Sequence, residues 1–131
     1  MNIRKKIYIF DDNVAIHALI EKALGGVYDL IRQTSPDNIE KLLELGMPDL
    51  IIMDILMPGV VHDGATATVW LKSNPKYKDI PVIIITSIAQ GTLVDTGFIK
   101  EKTKADAVMF KPIDAAELRQ NITDLLKRNR I

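Results

Sequence analysis

Cysteine is absent from the 131-residue chain. Disulfides, thiolate nucleophiles and cysteine-bound metals are thereby excluded, and the redox compartment is left open. Charge of one sign is missing too: 17 basic and 17 acidic residues cancel. No overall field therefore draws the chain to nucleic acid or to an anionic membrane. The basic groups Arg4-Lys5-Lys6 and Lys127-Arg128-Asn129-Arg130 at the two ends read as solvated tails. Histidine is scarce, with only His17 and His62, too few and too ill-spaced for a zinc site. Long apolar runs are lacking as well, since none approaches the roughly 18 residues that a membrane span needs. Nor is there a secretory leader pattern, because Arg4-Lys5-Lys6 leads only into Ile7-Tyr8-Ile9-Phe10 before Asp11. These absences point to a cytoplasmic protein with no membrane contact and no direct contact with nucleic acid.

What is present suits one ordinary domain over residues 1–131, with 47% hydrophobic and 26% charged residues and length enough to bury a core. Short apolar runs and amphipathic stretches alternate. The strand-like runs are Ile7–Phe10, Val27–Arg32, Leu50–Met53, Val82–Ile85 and Ala107–Phe110. Between them, helical spacing predicts helices over Asn13–Leu24, from Ser35-Pro36 to Gly46, over Gly64–Ser73 and around Leu93–Lys104. Asp114-Ala115-Ala116-Glu117 is a capping box opening a last helix that ends near Arg128. Trp70, the single tryptophan, is expected to pack its helix on the sheet. Strands that are apolar throughout are buried on both faces, so the fold class is α/β: a single doubly wound parallel sheet of five strands with helices on both faces.

Ligands of such sheets bind beyond the carboxyl ends of the strands. Asp11, Asp12, Asp54, Thr86 and Lys111 all stand just past apolar strand residues, and so share one edge. Two carboxylates about 5 Å apart repel by roughly 3 kcal/mol at an effective dielectric near 20. Three of them stay ionised together only with a cation. Oxygen ligands on a rigid lip suit Mg²⁺, which keeps several waters and takes few protein ligands. A lysine and a hydroxyl beside them complete a site that could receive a phosphoryl group on a carboxylate.

Several segments then resemble the receiver domain of two-component response regulators: Phe10-Asp11-Asp12-Asn13, Pro48 through Gly59 around Asp54, Asp63-Gly64, Pro81 through Ser87, and Lys111-Pro112. The resemblance implies a flavodoxin-like strand order 2-1-3-4-5. It implies that Asp54 is the phosphoacceptor in a phosphorelay, charged by a sensor histidine kinase or phosphotransfer protein. Mg²⁺ would be held by Asp11, Asp12, Asp54 and the Leu56 backbone carbonyl, and phosphoryl oxygens by Thr86 and Lys111. Lys111-Pro112 would be cis. The output would be a switched surface of the fourth helix, fifth strand and fifth helix, docking on a downstream protein target, with self-phosphorylation and autodephosphorylation the extent of the catalysis.

Three departures stand out. Val108 occupies the place of the usual aromatic three before the lysine, and Phe110, close to it in the strand, is expected to point to the opposite face from it. The loop Gly59–Gly64 and the span from Thr86 to Lys111 are longer than is usual in the family. Leu56 and Ile88, two past Asp54 and Thr86, are apolar and cannot orient a hydrolytic water, so slow autodephosphorylation is expected. The main alternative is a receiver-like interaction module that acts without phosphorylation. A haloacid-dehalogenase-type hydrolase would need an aspartate where Asn13 stands. A flavodoxin-type site would need a phosphate loop free of Asp11-Asp12.

Overall fold

Mostly apolar runs form four of the five strands. The computed structural model describes residues 3–55, 63–87 and 96–128. In it β1 (Lys6–Phe10), β2 (Asp29–Gln33), β3 (Leu50–Ile55), β4 (Val82–Thr86) and β5 (Ala107–Phe110) form one parallel sheet in the order β2-β1-β3-β4-β5. The helices are α1 (Val14–Leu24), α2 (Ile39–Leu45), α3 (Asp63–Ser73), α4 (Thr96–Thr103) and α5 (Ala115–Arg128). Strand order and class agree with expectation. The edge strand β2 is partly exposed and carries Asp29, Arg32 and Gln33.

Alternation along the strands divides the core. Ile7, Ile9, Ile52, Ile85 and Met109 pack with Ile16 and Ile20 of α1 and Leu118 and Ile122 of α5. Tyr8, Phe10, Ile51, Met53 and Ile84 pack with Leu43 of α2, Leu71 of α3 and Ile99 of α4. Trp70 joins the second cluster, its ring 5.5 Å from that of Tyr77. The Tyr8 hydroxyl donates to the carbonyl of Gly46 just after α2, and burial pushes its pKa up. Among the described residues no helix is long and apolar enough to cross a membrane.

Local chemistry explains the element boundaries. Asn13 caps α1, its side chain accepting from the Ala15 N–H at 2.8 Å. Asp114 caps α5 through the Glu117 N–H at 3.0 Å. α2 starts later than expected, because Ser35 spends its hydroxyl on the Asp37 N–H and the Ile39 N–H closes a turn onto Pro36. Asn38 becomes the cap residue instead. The expected start of α4 near Leu93 lies outside the described residues.

At the amino ends of β4 and β5 sits a charged clasp. Lys72 near the end of α3 lies 2.7 Å from Asp106 and donates to the carbonyls of Lys78 and Ile80. The same Asp106 oxygen accepts the Val82 N–H at 2.8 Å. Lys72 is 9% and Asp106 23% exposed, so removing one partner strands a poorly solvated charge. Lys72→Met is expected to destabilise the fold by about 2–3 kcal/mol. A lower denaturant midpoint with an unchanged slope would show it.

Candidate functional site

Strand parity gathers the site. Asp11, Asp54 and Lys111 each lie two residues beyond a side chain of the α1/α5 cluster, namely Ile9, Ile52 and Met109. They therefore emerge on one side of the sheet at its carboxyl lip. The Lys111 ammonium lies 3.1 Å from Asp11 Oδ2 and 3.3 Å from Asp54 Oδ1. Asp54 belongs to the strand, paired with Ile85, and Thr86 is the last residue of β4, paired with Ile55.

Asp11 is fixed almost completely. Its N–H donates to the Gln33 carbonyl at 3.0 Å, and its Oδ1 accepts the Asn13 N–H at 2.7 Å. Its carbonyl is met by His17 Nε2 at 2.6 Å. Only Oδ2 is left over: it is buried, accepts no hydrogen bond and faces the lysine. Asp12 is exposed beside it. One carboxylate oxygen from each of Asp11, Asp12 and Asp54 falls within 4.8 Å of the others. Three acids and one lysine leave a local excess of negative charge. An all-oxygen donor set of two buried acids and one exposed acid fits a hard divalent ion that keeps part of its water shell.

A cavity of about 200 Å³ opens onto the acids, lined by Phe10, Asp11, Asp12, Thr34, Ser35, Pro36 and Asp54. Thr34 and Ser35 were not anticipated as part of the site. They follow the last residue of β2 just as the acids follow β1, so the same strand-end rule would have found them.

Thr86 is fully buried at the same lip, and its carbonyl accepts the Lys111 N–H at 2.7 Å. Alternation puts its side chain on the side of Ile84, opposite to that of Asp54. The Lys111-Pro112 peptide is cis. Leu56, Ile88, His62 and the loop from 59 to 62 lie outside the described residues. One expectation is corrected: Phe110 stands two residues after Val108, so it shares the face of Val108 instead of opposing it. Val108 packs against the α2/α3/α4 cluster, whereas Phe110 is 37% exposed at the strand's end.

Glycine at position 64 has a steric cause. A Cβ there would overlap the backbone carbonyl oxygen of Asp54, so α3 packs directly on the peptide that carries the central acid. Thr68 steadies this turn by donating to the Gly64 carbonyl at 2.9 Å.

Fold and site together define a doubly wound α/β domain with an acidic cluster and a lysine at the point where the winding reverses, between β1 and β3. Residues 7–123 match the family model of the response regulator receiver domain, and the chain belongs to that family. It is 32% identical over 124 residues to the DNA-binding dual master transcriptional regulator RpaA of Synechocystis, covering 94% of this chain and 49% of that protein. It is 29% identical to the phosphate regulon transcriptional regulatory protein PhoB of Rhizobium meliloti, covering 94% and 52%. The chain thus spans about half the length of these curated relatives. Among solved structures, the signal receiver domain of a signal transduction histidine kinase from Syntrophus aciditrophicus superposes with a TM-score of 0.76 at 26% identity, covering 96% of this chain and 92% of that one.

Gly64→Ala is expected to push α3 off Asp54 and to cost about 1–3 kcal/mol, the usual range for overpacking. Chemical denaturation measures the cost. Displaced backbone amide resonances at residues 53–55 would locate it.

Proposed function

We propose that residues 1–131 form a phosphorylatable receiver that works in the cytoplasm. Asp54 accepts a phosphoryl group from a sensor histidine kinase or a phosphotransfer protein. The carrying observation is the Lys111 ammonium 3.1 Å and 3.3 Å from two of three carboxylates that converge within 4.8 Å. Mg²⁺, held by Asp11, Asp12, Asp54 and the Leu56 carbonyl, would supply charge neutralisation for the incoming phosphoryl oxygens. A carboxylate oxygen of Asp54 attacks phosphorus, an O–P bond forms, the P–N bond to the donor imidazole breaks, and the imidazole departs with its electron pair. Lys111, already beside Asp54, balances charge on the acyl phosphate, and the Thr86 hydroxyl, which starts on the other side of the same lip, would turn toward the site to donate to a phosphoryl oxygen.

The proposed output is a protein target docked on the surface of α4, β5 and α5. With a valine at position 108, partly buried against the core, the readout at β5 cannot be a ring turning at that position. The DNA binding in the name of RpaA belongs to a protein about twice this span, and no nucleic-acid contact is assigned to this one.

Incubating the chain with acetyl phosphate and Mg²⁺ should add one phosphoryl mass to wild type and none to Asp54→Asn. Beryllofluoride should perturb only wild type. A wild-type chain inert to both would be the interaction module that acts without phosphorylation. Separately, Leu56→Asn with Ile88→Glu should shorten the acyl-phosphate half-life severalfold, and an unchanged half-life would refute the slow-hydrolysis reading.

A further inference from the structure

His17 is a buried, titratable side chain with no part in the chemistry above. It is 9% exposed on α1, its Nε2 lies 2.6 Å from the Asp11 carbonyl oxygen, and its Nδ1 is buried with no partner. A carbonyl only accepts, so the proton of that bond is on Nε2. The other nitrogen gains nothing from its surroundings, and a leucine would fill the space without burying an unpaired ring nitrogen. What the imidazole supplies is its grip on one carbonyl.

That carbonyl belongs to the peptide joining Asp11 to Asp12. The Asp11 N–H is held by Gln33, and the bond of Oδ1 to Asn13 closes an Asx turn around the following peptide, but neither bond reaches that peptide's own carbonyl. Residual tilting of this peptide would shift the exposed Asp12 side chain and leave the Asp11 carboxylate in place. The His17 bond removes this freedom. We infer that His17 is a positioning residue for a divalent cation, locking the Asp11–Asp12 peptide so that both carboxylates stay aimed at one ion. It acts through backbone and is not itself a ligand, because its one hydrogen-bonded nitrogen is turned to that carbonyl. The inference rests on the cation reading of the acidic cluster.

Calorimetric titration of the full chain with MgCl₂ tests it on wild type, His17→Leu and His17→Gln. Loss of an outer-shell partner costs about tenfold or more in metal affinity, so His17→Leu should raise the Mg²⁺ Kd about tenfold. His17→Gln, whose amide N–H has similar reach, should stay near wild type. At saturating Mg²⁺, His17→Leu should recover the wild-type rate of phosphorylation by acetyl phosphate. If His17→Leu does not fold, His17→Asn, with an amide too short to reach the carbonyl, should show the same weakening. Equal affinities in all variants would overturn the inference and leave the cation site standing, as would a folded His17→Gln as weak as His17→Leu. Absence of Mg²⁺ binding by wild type would instead overturn the cation reading itself, and this inference with it.

Discussion

One ammonium group between two buried carboxylates governs the carboxyl lip of the sheet. Asp11 and Asp54 are each nearly inaccessible to water, and ionised acids tolerate this only beside a cation. Lys111 meets that need for two of them. Asp12, exposed and next in sequence, adds a charge that the lysine cannot also balance. A parallel sheet lets residues from three strands meet in this way, because every strand presents its carboxyl end on the same edge. Equal parity relative to the buried residues Ile9, Ile52 and Met109 then sends all three side chains to one side.

The elements were legible because every strand but the edge strand β2 is a nearly continuous apolar run and each main helix carries its own punctuation. Asn13 and Asp114 cap as their residue types suggest. The acids and the lysine were legible because strand ends mark the lip without any tertiary knowledge. Contacts across the sequence were not legible. The His17 bond to Asp11 depends on a buried ring facing one carbonyl, and the Lys72–Asp106 pair joins residues 34 positions apart. The closeness of Gly64 to Asp54 follows from how α3 seats on β3, which no local pattern records. Ser35 misled because a hydroxyl before proline serves equally well as a helix cap or as a turn acceptor, and here the turn wins.

Family membership fixes the class of signalling in which this domain belongs, while the details specific to it sit in its departures. A partly buried valine packs against the core at position 108, and a phenylalanine is left at the surface one step further along the same face. Since Val108 carries no ring to turn, the proposed readout at β5 would rest on displacement of the strand as a body.

The clasp at the far end of the sheet bears on that displacement. Lys72 and Asp106 fasten the beginnings of β4 and β5 to each other and to α3. The opposite ends are joined by the Lys111 N–H to the Thr86 carbonyl, right beside the acids. Two strands riveted at the base and loaded at the tip behave as a cantilever. In the proposed switch, a disturbance among the acids would be largest where the strands leave the sheet toward α4 and α5, and smallest at the rivet.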